Sequence, residues 1–577
     1  MAAYKELKKD NVPIMSQPIS AQEHAATFSH KKRSIALVIV ALAFVMDLLD
    51  STIVNVAIPA IRTNLSASFA AIQWVVAGYA LTFATLLITG GRMGDVYGYK
   101  KVFLWGVAGF TAASLLSGVA VNPGMLIVAR LVQGSMAALM VPQVLSMMQV
   151  MYKPEERGGV NGLFGALGGL AASLGPVLGG LLIKWNILSW DWRPIFLINV
   201  PIGLFAIVMG IKYLPDGKSP HPLKLDIQGT LLIVTAIFLL IYPLIQGREY
   251  DWPLWSFVMM VASLPVFGAF AWWQKRKERL DGSALVLPSL FKNHSFGVGL
   301  AVNMVFEMAM ISFFLTFTLL LQIGFGFSAV HAALTGLPVA FGIALTMALA
   351  GEKLIPKLGR YALTFGSVVM AVGLSLVVGV VHHYSSAVHS WQLIGPLLLV
   401  GIGMGMVFSS LFAAVLNGVD AKHAGSASGT LNALQQIGGA VGVAVVGVIF
   451  FGQLSSAAPK SFATVEPQLR RVLSAAHIPP KGQTTIVSEV KTCFVDQSHA
   501  KDASVTPESC KRLQTGNTTN KQLSTQIQAT ALKANAVNFD TAFRWAIVYA
   551  AALLAVTFGL SFGLPRRFRA EAYAEVA

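Results

Sequence analysis

Residues 34–57 read SIALVIVALAFVMDLLDSTIVNVA, and this nearly unbroken apolar run decides the class of fold. A run of this length is sufficient for one α-helix to cross the hydrocarbon core of a bilayer. Two acids, Asp47 and Asp50, interrupt the run, although an ionised carboxylate is costly inside a membrane. The stretch therefore predicts a membrane-spanning helix whose two acids face a cavity or a partner and not lipid.

Similar apolar runs recur along the whole chain. The 577 residues are 55% hydrophobic and 12% charged, whereas soluble domains carry about 25% charged residues. Because a segment in lipid must satisfy its own backbone hydrogen bonds, each run is predicted to be a helix. The sequence indicates an all-α membrane protein with fourteen spans, at residues 34–57, 71–90, 102–120, 124–149, 160–184, 194–213, 226–246, 254–273, 295–321, 329–350, 362–381, 392–415, 430–452 and 541–564.

The basic residues predict how the chain sits in the membrane. The net charge of +16 could suggest nucleic-acid binding, but the Lys and Arg residues are scattered over short segments between apolar runs. Alternate segments hold most of them, for example Lys31–Arg33, Lys275–Arg279 and Arg566–Arg569. The positive-inside rule makes these segments cytoplasmic. We therefore predict a cytoplasmic (inner) membrane protein with both termini cytoplasmic, no cleavable signal peptide and no nucleic-acid partner.

The polar segment 453–540 is predicted to be a long loop on the outer side, with short helices such as one around residues 465–476. It contains both cysteines of the chain, Cys493 and Cys510. Two cysteines that share an oxidising compartment favour a disulfide, and two unpaired thiols are the alternative. A further, less favoured interpretation is a membrane receptor or assembly scaffold that binds its partners through this segment.

Several short motifs resemble one known family. The strings are GRMGDVYGYKK at Gly91–Lys101, RLVQG at Arg130–Gly134, LGPVLGG at the end of Gly162–Gly180, DSTIVNVAIP at Asp50–Pro59 and WDWRPIFLINVPIG at Trp190–Gly203. In this order they resemble the signatures of the major facilitator superfamily and its fourteen-span drug:proton antiporters (EmrB/QacA type). A weaker match is GSASGTLNALQQIGGAVG at Gly425–Gly442.

The chain also departs from the family pattern. Val96 and Tyr99 stand where the loop signature has basic residues, and Ala171 replaces a glycine of the antiporter signature. The second-half copy of the loop signature, GEKLIPKLGR at Gly351–Arg360, lacks the acid. These departures put the symmetry of the inner gate in question, although Glu352 lies close to the missing position.

The resemblance implies a major facilitator fold with two six-helix bundles plus two extra central spans, and substrate bound between the bundles near the midplane. The expected divisions are a cytoplasmic tail at 1–33, an N-terminal bundle at 34–213, the extra spans and linker at 214–294, a C-terminal bundle at 295–564 that includes 453–540, and a tail at 565–577. The implied activity is proton-coupled export of lipophilic, often cationic drugs. A dedicated exporter of one metabolite or secreted product is the alternative.

Charged and polar residues inside the spans are candidates for proton coupling or substrate binding. Asp47 and Asp50 share one helix face, because they are three residues apart. Glu307 lies in the middle of the ninth span, as a cavity-lining acid or as half of an ion pair. Arg130 stays charged and needs a counter-charge. The resemblance implies a proton-transfer role for Arg130, with Gln133 beside it in the motif, whereas a static bond to backbone carbonyls is the alternative.

Two further sets of residues carry roles that the resemblance implies. Asp95 among basic residues is expected to latch the inner gate, and glycines are expected to allow a tight turn there. Gly175 and Pro176 are expected to kink the fifth span, while close helix packing alone is the alternative. The inner-gate set is Gly91, Arg92, Asp95, Gly98, Lys100 and Lys101, and the kink set is Gly175, Pro176, Gly179 and Gly180.

The remaining expectations concern partners and chemistry. The chain has no phosphate-binding loop with its Lys and no recognisable nucleophile or zinc motif, so we expect no enzyme activity, no cofactor and no metal. The expected partners are a small-molecule substrate, protons and the lipid bilayer. A periplasmic adaptor and an outer-membrane channel stay open as further partners.

Overall fold

The computed structural model describes residues 30–152, 154–186, 189–219, 223–247, 249–350, 358–416, 419, 424–499, 507–515 and 521–566. Residues 351–357, which contain most of the GEKLIPKLGR stretch and Glu352, lie outside the described residues, as do most of the tails at 1–33 and 565–577. Throughout the described ranges the chain is helical and has no strand.

The helices of the first half and of the two extra spans follow the predicted apolar runs. They are α1 His30–Asn64, α2 Phe69–Tyr97, α3 Tyr99–Gly118, α4 Pro123–Met151, α5 Pro154–Trp185, α6 Pro194–Tyr213, α7 Ile227–Gln246 and α8 Leu254–Asp281. Within α6, a single turn at Pro194–Leu197 precedes the main helix Asn199–Tyr213.

The second half has longer helices. They are α9 His294–Leu319, extended by a π turn at Leu320–Gly324, α10 Ala329–Ala350, α11 Arg360–Tyr384, α12 Ser390–Leu416, α13 Ala424–Ala475, α14 Pro480–His499, α15 Glu508–Thr515 and α16 Lys521–Ser561; a short 3-10 turn at Pro288–Lys292 precedes α9. Thirteen helices in the described ranges are long and apolar enough to cross a membrane. The fifth predicted span coincides with α5. Within α5, the residues Leu174–Trp185 form a shorter apolar helix.

The predicted helix around residues 465–476 is present as part of α13, but the expectation that segment 453–540 is mainly a loop is wrong. Helix α13 runs on past the thirteenth span to Ala475, and α16 begins at Lys521, well before the predicted fourteenth span. Together with α14 and α15 these extensions form a helical layer, which we call the cap. Its apolar side chains pack on one another because its helices are amphipathic, and this core comprises Phe462, Val465, Leu469, Leu473, Val487, Val490, Leu523 and Ala534. A disulfide joins Cys493 in α14 to Cys510 in α15.

The two halves of the molecule meet along two helix pairs, α2 with α13 and α5 with α10. The extra span α7 packs against α2 and α13, and α8 packs against α7. At the cap end the rings of Phe69 and Phe451 lie 4.0 Å apart. Close by, the Gln73 amide donates to the Val443 carbonyl over 2.9 Å, and both residues are in the same helix pair. The halves are therefore in contact beneath the cap.

Candidate functional site

The centre of the N-terminal half holds a buried ion pair. Asp50 comes from α1 and Arg130 from α4, and each side chain is almost completely enclosed. Arg130 donates to one carboxylate oxygen of Asp50 and, over 2.8 Å, to the side-chain oxygen of Gln133. Gln133 in turn donates to the other carboxylate oxygen of Asp50 over 2.8 Å. The structure thus brings Asp50, Arg130 and Gln133, three residues that the sequence proposed for proton coupling or substrate binding, together in one network.

Two partners in this network were missed by the sequence analysis. Asn199 from α6 donates to the same Asp50 oxygen over 3.1 Å, and the Ser114 hydroxyl from α3 accepts from Gln133 over 2.8 Å. Asn199 lies in the quoted WDWRPIFLINVPIG stretch, so the motif contained a signal for it. Ser114 had no such signal, because a serine inside an apolar helix can bond its own backbone and is common.

Asp47 has a different partner from Asp50, although both lie on α1. The Tyr79 hydroxyl from α2 donates to the Asp47 carboxylate. The Arg130 guanidinium lies over the Tyr79 ring, with Cζ 4.3 Å from the ring centroid, which is a cation–π contact. Tyr79 therefore links the two acids: its hydroxyl bonds Asp47, and its ring contacts Arg130, which pairs with Asp50. The Arg130 side chain also donates to the Val75 carbonyl over 3.1 Å, so the backbone tie exists beside the ion pair.

The close approach of α2 and α4 makes this arrangement possible. A Cβ atom on Gly134 would lie 2.3 Å from the Tyr79 carbonyl oxygen, and one on Gly90 would lie 2.0 Å from that of Ala138. Only glycine permits backbones to come so near, as is usual where helices pack in lipid. The glycine at the end of RLVQG therefore sets the distance at which Arg130 meets Tyr79 and Asp50.

Glu307 is the candidate acid of the C-terminal half, and it is buried. Glu307 lies in α9 and is 8% exposed, and the Gln435 amide from α13 donates to it over a long 3.4 Å. A Cβ on Gly438 would meet the Met304 carbonyl at 2.7 Å, so α13 comes close to α9 at this level. Gln435 and Gly438 belong to the GSASGTLNALQQIGGAVG stretch, which explains why that string is polar and glycine-rich inside a span.

Comparison with known proteins decides the family. A model of the Major Facilitator Superfamily matches residues 40–443. The chain is 40% identical to the "Probable actinorhodin transporter" of Streptomyces coelicolor over 94% of this chain and 93% of that protein. It is 34% identical to the "Methylenomycin A resistance protein" of Bacillus subtilis, over 72% of this chain and 86% of that protein.

The protein is a member of the Major Facilitator Superfamily. It is 31% identical to the "Tetracenomycin C resistance and export protein" of Streptomyces glaucescens over 76% of this chain and 79% of that protein. A solved bacterial homologue of the human lysosomal transporter Spinster, inward-facing and unoccupied, shares the fold, with a TM-score of 0.56 at 15% identity, over 94% of this chain and all of that one. The predicted fold class is thereby confirmed, and a multi-pass transporter is the conclusion for this chain.

In this superfamily member, the loop signature between α2 and α3 is tied to the extra spans. Arg92 donates to the backbone carbonyls of Ser283 and Ala284, just after α8, and to that of Lys224, just before α7. The Tyr99 backbone N–H donates to the Gly217 carbonyl over 2.8 Å. These contacts hold the end of α2 against the chain just before α7 and just after α8.

The turn in this signature needs one glycine and not three. Gly91 and Gly94 lie within α2, where Gly94 leaves room for the Gln143 side chain of α4. Only Gly98 has a positive φ, of 99°, and it separates α2 from α3. Our expectation that Gly91 and Gly94 help to form the tight turn is therefore wrong, because α2 continues through both of them to Tyr97.

The acid of the signature has a specific partner. Asp95 is half-buried and accepts from the Tyr99 hydroxyl over 3.0 Å. Lys100 lies 3.8 Å from the exposed Asp216 carboxylate, and Lys101 is exposed. Tyr99 is one of the departures from the family pattern, and here it supplies a neutral donor where the family has a cation.

We expect Asp95→Asn to favour the conformation that is open at this end of the bundle. A latch stabilises one state only, so a loss of about 1.4 kcal/mol shifts the ratio of states about tenfold. The measurement is maleimide labelling of Ile88→Cys, which lies on α2 facing Gly429 of the other half, in a background without Cys493 and Cys510. Labelling should rise with Asp95→Asn and less with Glu352→Gln. Unchanged labelling together with normal transport would remove the latch.

The antiporter signature packs α5 against both halves. A Cβ on Gly175 would meet the Thr52 hydroxyl of α1 at 2.1 Å, and one on Gly179 would meet the Ile53 side chain at 2.6 Å. Gly180 faces the backbone of Val330 in α10, across the boundary between the halves. Pro176 lies inside α5, which stays helical on both sides of it. Close packing accounts for the glycines, and the kink that Pro176 would set remains a prediction.

Proposed function

We propose that this protein uses proton entry to drive the export of lipophilic antibiotic-like compounds, often cations, out of the cell. The observation that carries the proposal is the buried network of Asp50, Arg130, Gln133 and Asn199. A carboxylate and a guanidinium enclosed at membrane depth are costly, and such groups mark ion and proton pathways. The names of the relatives, which concern actinorhodin, methylenomycin A and tetracenomycin C, support the class of cargo.

The network supplies a physical route from proton binding to movement. A proton on Asp50 would remove the charge that pairs with Arg130, and this would weaken the tie between α1 and α4. Protonation and helix arrangement are therefore linked, since each biases the other. Each proton that enters would release about 2.3 kcal/mol per 100 mV of membrane potential and about 1.4 kcal/mol per pH unit.

Glu307 is proposed to recognise the positive charge of cationic cargo. It stands alone as an acid in α9 among apolar neighbours, and its amide partner Gln435 lies at the long distance of 3.4 Å. A cation that displaced this weak contact would gain a charge-assisted bond in a site of low polarity. Cargo would thus meet one acid in the C-terminal half, while the proton would use the network in the other half.

We expect Glu307→Gln to reduce transport of cations selectively. A hydrogen bond to a charged group contributes about 1.5–3 kcal/mol, so ethidium transport should fall about tenfold or more. Transport of uncharged chloramphenicol should change little. The measurement is uptake or release by proteoliposomes under an imposed proton gradient, with a protonophore to collapse it. Equal loss for both compounds would assign Glu307 to proton coupling.

The same proteoliposomes test the proposed function as a whole. Transport of ethidium, puromycin or chloramphenicol that follows the imposed gradient and stops with the protonophore would support it. Transport that is indifferent to the gradient would contradict the coupling.

A dedicated exporter of one secreted product is the second candidate. The observation in its favour is the length of the match to the "Probable actinorhodin transporter", which covers 94% of this chain and so includes cap residues. The "Methylenomycin A resistance protein" matches over 72%. Transport of one secreted product with no response to the three drugs would favour this candidate.

A further inference from the structure

A cavity of about 470 Å³ lies between the cap and the membrane bundle. Its floor is formed by the ends of α1, α2 and α9, and its walls come from α13, α14 and α16 of the cap. None of the central acids lines it, because Asp50 and Glu307 lie deeper within the spans. The volume is in the range of pockets that hold drug-sized molecules, about 300–1,000 Å³.

The lining combines aromatic rings with hydrogen-bonding groups. Phe69, Phe494 and Phe539 supply the rings. The Arg62 guanidinium lies over the Phe69 ring, with Cζ 3.8 Å from the centroid, which joins a donor to an aromatic face. Gln497, Gln528 and Asn535 add amide groups, and the described lining residues include no acid. Such a surface suits a ring system with oxygen atoms at its edges, and it offers nothing specific to a cation.

The position of the cavity connects it to the route between the halves. Phe69 lines the cavity and also contacts Phe451 across the boundary of the halves. Phe451 belongs to the helix pair of α2 and α13, so separation of these two helices would open the cavity floor. At the mouth, Leu532 is 62% exposed although it belongs to the polar cap.

Firm attachment of the walls supports a built site. Asn538 donates to the Leu454 carbonyl over 2.9 Å, and the Ser455 hydroxyl donates to the Ser498 carbonyl over 3.1 Å. Asn535, which lines the cavity, donates to the Ile323 carbonyl at the end of α9 over 2.8 Å. These bonds tie the walls of the cavity to one another, and the Asn535 bond ties α16 to the end of α9.

We propose that this cavity is an exit site that binds flat, oxygenated aromatic compounds after they leave the central site. As an exit site it rests on the proposed export function, whereas its binding chemistry can be measured separately. The site would be reached from below when Phe69 and Phe451 separate, and it would release its ligand past Leu532. Arg62 and the amides hold the oxygen atoms of the ligand, while the three phenylalanines contact its rings.

Protection of an introduced cysteine tests the site directly. The probe is alizarin, a flat dihydroxyanthraquinone, added to the full chain with Gln528→Cys in nanodiscs. The native cysteines stay bridged and do not react. Alizarin at about four times its dissociation constant should slow maleimide labelling about fivefold. The matched control is Ala529→Cys, the exposed next residue of α16, which does not line the cavity and should not be protected.

Further variants decide between the possible outcomes. Ala531→Trp fills the cavity from its wall and should abolish protection of Gln528→Cys. Asp50→Asn should leave protection intact, so a failure of proton coupling would not be mistaken for a failure of the site. Equal labelling with and without alizarin, or equal protection at Ala529→Cys, would overturn the proposal. Equal protection by ethidium would overturn the assigned ligand chemistry.

The export arm separates binding from transport. In proteoliposomes, Ala531→Trp should lower the rate of alizarin export while ethidium export persists. If Ala531→Trp removes protection but alizarin export is unchanged, the cavity binds aromatic compounds without lying on the export route. That result would overturn the exit role.

Discussion

Asp50→Asn should abolish proton-driven transport while the protein still folds and reaches the membrane. Asn keeps the shape of the side chain, and its oxygen can still accept from Gln133 and Asn199, which both donate to Asp50 Oδ1. Arg130 keeps the Val75 carbonyl and the Gln133 oxygen as acceptors. What the variant lacks is a group that can take up and release a proton. We therefore expect a loss of at least about tenfold in gradient-driven transport, more than for any other single acid.

The matched control is Asp47→Asn on the same helix face. Its partner is the neutral Tyr79 hydroxyl, so the substitution leaves the charge of Arg130 paired. We expect a smaller loss, and the two variants should be compared for transport at several pH values and for yield in the membrane. If Asp50→Asn transports like the unchanged protein at every pH, Asp50 is not the coupling site, and Asp47 or Glu307 would be the next candidates.

Gly134→Ala is the second large effect that we expect. The new Cβ would lie 2.3 Å from the Tyr79 carbonyl and 2.4 Å from the Thr82 hydroxyl oxygen, and the carbonyl cannot turn away because it is backbone. Overpacking of this kind costs about 1–3 kcal/mol. Helices α2 and α4 would have to separate, which moves Arg130 away from Tyr79 and Asp50. The expected results are a lower melting temperature in detergent and a transport rate reduced about tenfold or more.

Gly268→Ala is the control for this effect. Gly268 lies in the extra span α8, and a Cβ there would have no neighbour within 4 Å. Both variants exchange a helical glycine for the better helix former, so the intrinsic gain in helix propensity is the same. Gly268→Ala should match or exceed the unchanged protein in stability and transport. A Gly134→Ala variant that behaves like Gly268→Ala would mean that the helix pair tolerates expansion at the site.

The sequence alone was sufficient for the class of protein, for the positions of the spans and for the rare charges inside them. These features depend on the cost of placing polar groups in lipid, which each segment carries by itself. Asp50, Arg130 and Glu307 stand out in the sequence for this reason. The motifs added the family, because their order and spacing match along several spans.

The tertiary structure alone decided which of these charges meet. Asp50 lies 80 residues from Arg130 and 149 from Asn199, and no local pattern connects them. Ser114, Tyr79 and Gln435 were missed because uncharged polar residues cost little in a helix and do not stand out among apolar neighbours. The cap was read as a loop because its helices are stabilised by packing on one another and not by lipid. The cavity beneath it exists only where α1, α2, α9 and the cap meet, and packing across such distances is decided by the folded chain.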